Sequence, residues 1–482
     1  MLAKSSLTLT HIKLGGKNAA KSAEFKAAQP AKSAQNSAQV PLIFEENRDL
    51  PIIFFRLIFQ NSGKAYENAS NFGLNSANLA NSGAKNSNFE AKNSHGDTAK
   101  MLLQSKNSRH EKPTQSQVPA GTARMFARLL NEGTDENFFK ELEFYAINLG
   151  ASSGFESFEI SVSCLKEHFE FALKKLAELL KSPNFDEKLL AKLKTTALGE
   201  LAARNSDFDY IAKRLLNKSV FECEEFASGN DGSEQSIAQI SLQHLREFHG
   251  RLCLANALVV AGGDINLTQM QSAAAAVLGV LKKGEPTKPK KFTLCAALKD
   301  EICTRKDSEQ AYIYFCSPFA LDFADKDAHL AKLAIFVLGA GGFGSRLMEE
   351  VRVKRGLAYS AYAMLDLSAC YKRVFGYLQT KNESANEAKK LVKRVFADFV
   401  KSGVTQNELA QAKNFLIGST PLRYESLEKR LGNAYNEFYQ GLKLGHFKRE
   451  LESIRAVSLG ELNAYIKAHG ELLNLSFASV AR

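Results

Sequence analysis

One stretch of the sequence combines residue types that can bind and polarise a carbonyl group. Residues 338–359 read LGAGGFGSRLMEEVRVKRGLAY, in which a glycine-rich run precedes Arg352 and Tyr359. The glycines are Gly339, Gly341, Gly342 and Gly344. A guanidinium group can hold a carbonyl or carboxylate oxygen through its planar fork, and a phenol can donate a hydrogen bond to a developing oxyanion. This segment is therefore the first candidate for a functional site.

The same glycines satisfy the pattern G-x-G-x-x-G, which is typical of dinucleotide-binding loops. Such a loop needs a strand before it, a helix after it and an acidic residue about 20 positions further on. Here the apolar run before Gly339 continues an amphipathic helix predicted from Asp327, and the short helix after the glycines is broken at residues 354–356. The sequence favours a helix stop and a flexible loop over a nucleotide site.

Composition argues for a protein without nucleic-acid or membrane partners. The net charge is +11, and residues 1–36 and 64–118 supply +5 and +3 of it. No predicted helix concentrates Lys and Arg on one face with interleaved aromatics, so we expect solvated tails and loops. No window approaches the roughly 18–20 apolar residues of a spanning helix. The N-terminus lacks the apolar core of a secretory signal, so a cytoplasmic location is expected.

Hydrophobic periodicity predicts the same order of elements in two halves. We predict strands at about 7–14, 40–46, 51–60, 155–164, 255–263, 310–316, 359–367, 373–380 and 475–480. We predict helices after 120 and at about 167–180, 186–204, 210–216, 267–281, 327–338, 385–402, 406–418, 427–440 and 459–467. Residues 282–291 (KKGEPTKPKK) read as a linker. The pattern predicts an α+β fold, interrupted by disordered, low-complexity inserts at about 15–38 and 68–118.

Residues 338–359 closely resemble the C-terminal half of insulinase/pitrilysin zinc peptidases, where a glycine-rich loop leads to S-R-L, an acidic helix and K-R-G-L-A-Y. The resemblance extends over both halves outside the inserts. It implies the mitochondrial-processing-peptidase-like metallohydrolase fold, with two homologous domains, each a mostly antiparallel sheet with helices packed on one side. We place these domains at residues 1–281 and 292–482.

Active members of that family carry His-x-x-Glu-His on the first long helix. The two histidines lie one turn apart and hold zinc, and the glutamate activates the bound water. The matching stretch here is GTARMFARLL, with Arg124 and Arg128 at the histidine positions and Ala127 at that of the glutamate. Arginine has no lone pair to donate and stays protonated. Glu200 matches the distant third ligand, but an ion-paired or solvated residue is the favoured interpretation, so no metal is expected in this chain.

The resemblance also implies a role for the residues of the first candidate site. In the family an Arg and a Tyr, matched by Arg352 and Tyr359, reach across an enclosed chamber and polarise the scissile carbonyl, and the glycine-rich loop lines the substrate path. Structural alternatives stay open. Arg352 can pair with a glutamate such as Glu349, Tyr359 can pack in a strand, and the loop can be no more than a helix stop.

A lost zinc motif beside a retained Arg/Tyr pair has a rationale in the family. Some bacterial and organellar members divide the site between two chains, one with zinc and the other with the pair. The leading hypothesis is a non-catalytic partner subunit, without a cofactor of its own, in a heterodimer with a zinc-bearing homologue that hydrolyses peptides. The alternative is a peptidase-fold scaffold or peptide-binding protein without turnover. Residues 124, 127 and 128 argue against an independently active zinc peptidase.

Overall fold

Two β-sheets organise the chain in the computed structural model, which describes residues 7–14, 38–67 and 118–482. Apart from Ala38 and Val118, the predicted inserts at 15–38 and 68–118 lie outside the described residues. We call the residues up to 281 the first half and those from 292 the second half. None of the helices in the described ranges is long and apolar enough to span a membrane.

The first sheet has six strands in the order β1-β2-β6-β3-β5-β4. Only the pair β2–β6 is parallel among its described strands. The strands are β1 (Thr8–Leu14), β2 (Ala38–Glu46), β3 (Ile52–Phe59), β4 (Asn148–Ser153), β5 (Phe158–Leu165) and β6 (Ala257–Gly263).

The second sheet has five strands in the order β7-β11-β8-β10-β9. Its pair β7–β11 is parallel, and the other described pairs are antiparallel. The strands are β7 (Asp300–Thr304), β8 (Gln310–Pro318), β9 (Ala358–Leu367), β10 (Lys372–Lys381) and β11 (Ser476–Ala481). The predicted α+β class with mostly antiparallel sheets is confirmed.

Helices lie between the strands along the chain in each half. Those of the first half are α1 (Thr122–Leu130), α2 (Phe138–Phe144), α3 (Phe169–Lys181), α4 (Glu187–Arg204), α5 (Phe208–Phe221), α6 (Glu224–Ala227), α7 (Glu234–Gln239), α8 (Leu242–Arg251) and α9 (Leu267–Leu278). Those of the second half are α10 (Ala328–Ile335), α11 (Arg346–Met348), α12 (Ala385–Ser402), α13 (Gln406–Gly418), α14 (Thr420–Arg423), α15 (Leu427–Tyr439), α16 (His446–Ala456) and α17 (Leu459–Ala468). Two π-helical segments, Phe336–Ala340 and Glu349–Val353, flank the glycine-rich loop.

The two halves exchange one helix each. The helices of each half cover one face of its own sheet, whereas α5 packs on β8 and β11 of the second sheet and α15 packs on β2 and β6 of the first. Leu431 of α15 is buried against Ile43, Leu258 and Val260. Because both faces of the sheet are covered, every residue of β6 is buried. The predicted boundaries at 281 and 292 stay a prediction, since these packing contacts cross them.

Polar contacts also hold α15 on the first sheet and α5 on the second. Arg430 of α15 donates from Nε to a carboxylate oxygen of the buried Glu45 on β2, at 2.7 Å. On the second sheet, the Tyr314 hydroxyl donates to Asp209 of α5 at 2.9 Å. Both contacts join residues that are far apart in sequence, so each half contributes to the folded state of the other.

We expect Leu431→Ala to lower the free energy of unfolding by about 2–4 kcal/mol, because it opens a cavity under β2 and β6. Denaturant unfolding followed by far-ultraviolet circular dichroism measures this. Leu422→Ala removes an equally large side chain at a position that is 63% exposed and serves as the control, with an expected loss below about 0.5 kcal/mol. Equal losses for the two variants would contradict the packing described for α15.

Candidate functional site

Helix α1 carries the residues at the predicted metal positions, and a buried carboxylate holds its first turn. The carboxylate of Glu67 accepts hydrogen bonds from the N–H of Gly121 at 3.0 and 3.1 Å and from the N–H of Ala123 at 2.8 Å. These donors belong to the N–H groups that a helix leaves unpaired at its start. Burial is the largest influence on Glu67 and raises its pKa to about 7. Seven of the nine residues of α1 are buried, Ala127 among them, and the other two, Arg124 and Arg128, lie one turn apart.

Guanidinium groups occupy the place where the family motif predicts metal ligands. Arg128 donates to both carboxylate oxygens of Glu200, at 2.9 and 2.7 Å, and to Asp231 at 3.3 Å. Arg124 lies 3.6 Å from Asp231, and Arg204 of α4 contacts Asp231 closely and Glu200 at 4.0 Å. We call these five residues the arginine–carboxylate cluster. The hydrogen bonds from Arg128 are the main cause of the lowered pKa of Glu200.

Sequence reasoning missed Asp231, a buried member of this cluster. It lies in the turn Gly229–Gly232, whose ends form an isolated β-bridge. The turn packs closely on the start of α1: a Cβ on Gly121, which has φ 94°, would lie 2.3 Å from the carbonyl oxygen of Asp231. A turn is evident in the residues S-G-N-D-G-S, but its contact with α1 depends on the tertiary fold.

The cluster does not fit a zinc ion. Its three guanidinium groups have no lone pairs, and they leave one positive charge in excess over its two carboxylates. Ala127 supplies no general base. Within residues 7–14, 38–67 and 118–482, no group of three or more His, Cys, Asp or Glu side chains is arranged to hold a metal. The charges that would hold a metal ion are here paired with arginine.

Arg352 and Tyr359 come together in the second half, with a third residue that the sequence did not indicate. Arg352 follows the short helix α11 on a π-helical segment, and Tyr359 is the second residue of β9. The Arg352 Cζ lies 4.4 Å from the ring centre of Tyr359 and 4.7 Å from that of Phe343. We call these three residues the Arg352 stack. Tyr359 is 80% exposed, and the described residues show no ion pair between Arg352 and Glu349.

The glycine-rich loop that carries Phe343 follows a helix and not a strand. Helix α10 continues into the π-helical turn Phe336–Ala340, which the Gly341 N–H closes by donating to the Phe336 carbonyl oxygen at 2.9 Å. A Cβ on Gly339 would lie 2.3 Å from the Ala363 nitrogen of β9, and Gly342 has φ 59°. These glycines therefore allow close packing and a tight turn. Without a preceding strand, the loop is not a dinucleotide fingerprint.

The two sites have different electrostatic characters. The carboxylates of the arginine–carboxylate cluster are engaged by its three arginines. In the Arg352 stack the cation is held by aromatic faces and makes no ion pair with the described residues. No hydrogen bond or ion pair among the described residues joins the two sites. Of the predicted site residues, the structure thus groups Arg124, Arg128 and Glu200 in one place and Arg352 and Tyr359 in another.

Comparison with known proteins identifies relatives over most of the chain. A family described as "Peptidase M16 inactive domain" matches residues 239–416. The chain is 37% identical over 451 residues to a Helicobacter pylori protein named "Non-peptidase homolog YmxG", covering 92% of this chain and 93% of that protein. It is 25% identical over 366 residues to the "Uncharacterized zinc protease YmxG" of Bacillus subtilis, covering 74% and 86% of the two chains.

A solved structure shares the fold. The peptidase M16 inactive domain from Pseudomonas fluorescens matches with a TM-score of 0.74 and 24% identity, over 92% of this chain and 96% of that one. At this level of identity, the match supports the two-sheet architecture described above.

A double-mutant cycle tests whether Arg128 and Glu200 form one interacting unit. We expect Arg128→Ala, Glu200→Ala and the double variant to show a coupling of about 1 kcal/mol in the free energy of unfolding, because the pair is bidentate and the Arg128 side chain is only 15% exposed. The control is Lys192 with Glu132, which form a single contact with the lysine 63% exposed. Its expected coupling is below about 0.5 kcal/mol. Equal coupling energies for the two pairs would show that Arg128 and Glu200 interact no more strongly than an exposed ion pair.

The raised pKa of Glu67 predicts a pH-dependent stability. The folded state binds the proton of Glu67 more tightly than the unfolded chain, so the stabilising contribution is complete below about pH 4.5 and is lost as pH rises through about 7. Glu67→Gln stays neutral and lacks this loss. We expect the free energy of unfolding of the wild type, relative to Glu67→Gln, to fall by up to about 3 kcal/mol between these pH values.

Urea unfolding at a series of pH values measures this difference. Glu136→Gln, which removes a carboxylate at an exposed position, is the control. A wild-type profile parallel to that of Glu67→Gln would show that burial does not raise the pKa of Glu67.

Proposed function

The chain belongs to the peptidase M16 family of insulinase- and pitrilysin-like proteins, and from this premise we propose that it is a non-catalytic partner subunit. In this role it supplies Arg352, Tyr359 and the Gly339–Gly344 loop for peptide-bond hydrolysis by a zinc-bearing homologue. The zinc belongs to that second chain, since the arginine–carboxylate cluster does not fit the metal.

The observation that carries the proposal is that the Arg352 guanidinium lies against aromatic rings and forms no ion pair with the described residues. Aromatic rings contact its guanidinium at 4.4 and 4.7 Å, and no described carboxylate or carbonyl group engages it. Cation–π contacts use the face of the guanidinium and leave the N–H groups at its edge available. The stack therefore orients Arg352 without using up its donors, which suits a group that must bind a carbonyl oxygen.

Tyr359 complements Arg352 in this role. Its side chain is 80% exposed, so its hydroxyl is open to a bound peptide. A guanidinium and a phenol that donate to one peptide carbonyl stabilise the negative charge that develops on its oxygen, and removal of one such donor typically costs about 10²–10³-fold in rate. The glycine-rich loop holds Phe343 against Arg352 and forms the adjoining wall.

The first half of the chain supports a division of labour. Arg128 engages Glu200 through both carboxylate oxygens, and Ala127 has no basic group, so this region offers neither a free carboxylate ligand at Glu200 nor a general base at position 127. The name of the Helicobacter pylori relative, a non-peptidase homologue, agrees with a chain that does not hydrolyse peptides alone. The heterodimer and its cytoplasmic location stay predictions.

We expect this chain to stimulate peptide cleavage when it is mixed with the His-x-x-Glu-His homologue from the same genome. Arg352→Ala and Tyr359→Phe are each expected to lower kcat/KM of the mixture about 10²-fold, because each removes a donor to the developing oxyanion. Arg355→Ala is the control, since Arg355 lies nearby in an ion pair with Glu350. A fluorogenic-peptide assay measures these rates.

Other outcomes discriminate between the two functions. Stimulation that survives both substitutions would refute the roles of Arg352 and Tyr359. Peptide binding by this chain without stimulation of any homologue would favour a peptide-binding scaffold without turnover.

A further inference from the structure

A cavity of about 540 Å³ lies in the second half, and none of the three residues of the Arg352 stack lines it. Side chains from α10, α13, α15 and α16, the end of β9 and the π-helical turn Phe336–Ala340 line it. Its volume is within the range of small-molecule sites, which is roughly 300–1,000 Å³. Ala340 of the glycine-rich loop lines the cavity, but no role has been assigned to the space itself.

The position of the cavity follows from the similar order of elements in the two halves. In the first half α1 and α2 are followed by β4, β5, α3 and α4, and α1 and α4 carry four of the five residues of the arginine–carboxylate cluster. In the second half α10 and α11 are followed by β9, β10, α12 and α13, and α10 and α13 border the cavity. Where ion-paired side chains join the two helices of the first half, the corresponding helices of the second half border open space.

Much of the cavity wall is apolar. Phe336 and Phe415 face each other with ring centres 5.0 Å apart, and Phe415 is 56% exposed. Leu365 and Leu367 at the end of β9 contribute aliphatic surface. A large aromatic side chain that stays this exposed beside a cavity indicates a surface that an apolar ligand group can cover.

The polar side chains of the cavity leave an excess of positive charge. Lys332 forms an ion pair with the buried Glu450, so this pair contributes no net charge. Arg423 also lines the cavity and makes no side-chain hydrogen bond or ion pair with the described residues. The side-chain amides of Asn436 and Gln440 also make none within these residues. A guanidinium and two amides thus offer unused hydrogen-bond donors beside an apolar wall.

We propose that this cavity binds an apolar carboxylate, whose hydrocarbon or aromatic group lies against Phe336 and Phe415 and whose carboxylate is bound by Arg423. Arginine binds carboxylates through paired N–H donors, and burial of the apolar group supplies the remaining affinity. Two sources share this chemistry: a fatty acid, and the C-terminal residue of an apolar peptide. The inference needs no second chain and does not depend on the peptidase role.

Isothermal titration calorimetry of the full chain tests the proposal with two pairs of probes. Octanoate is compared with octanol, and the peptide acetyl-Leu-Leu-Phe is compared with its C-terminal amide. We expect at least one carboxylate to bind about tenfold more tightly than its neutral analogue. Binding of octanoate alone identifies a fatty-acid site, and binding of the peptide acid alone identifies a site for peptide C-termini.

Two variants at exposed positions locate the site without disturbing the core. Arg423→Gln is expected to weaken carboxylate binding about tenfold, and Asn436→Trp to abolish it by filling the cavity. Arg394→Gln, at an exposed position of α12 outside the lining, is the matched control and is expected to bind as the wild type does. Circular dichroism confirms that each variant is folded.

Three results would overturn the proposal. They are the absence of binding by either carboxylate, equal affinity for the neutral analogues, and unchanged binding to Asn436→Trp. Because the assay contains no homologue and no cleavage step, its failure leaves the proposed peptidase role untouched, and failure of the cleavage assay leaves this site untouched.

Discussion

The packing of α15 on the first sheet and of α5 on the second is the constraint on which the rest of the structure depends. Each sheet has two apolar faces, and the helices of its own half cover only one. Burial of a large aliphatic side chain contributes about 1.5–3 kcal/mol, so an uncovered second face would forfeit much of the stability of a domain. The exchanged helices provide that cover, and the two halves consequently stabilise each other.

The arginine–carboxylate cluster shows how two helices at the predicted metal positions can be held together by ion pairs alone. Glu200 and Asp231 still lie opposite α1, and carboxylates brought together in a partly buried place need a counter-charge. Arg128 supplies it from the same helix position as a predicted metal ligand. In this arrangement the ion pair of Arg128 with Glu200 connects α1 and α4 electrostatically.

Sequence reasoning succeeded where local periodicity determines structure. The helices Ala385–Ser402 and Gln406–Gly418 were predicted with the bounds that they have, because each has a continuous apolar stripe. The edge strands β4 and β7 were missed, since N-L-G-A-S-S and D-E-I-C-T lack a clear alternation of apolar residues. Asp231 and Phe343 were missed for another reason. Their importance comes from tertiary contacts with Arg128 and Arg352, which no local pattern encodes.

The exchange of helices also bears on how the chain folds as it leaves the ribosome. All strands of the first sheet have been synthesised at Gly263, but the helix that covers their second face begins only at Leu427. At a typical rate of translation this interval lasts on the order of ten seconds. During that time Ile43, Leu258 and Val260 have no native partner to cover them. The nascent first half is therefore a natural client for chaperones, and its final packing is completed late in synthesis.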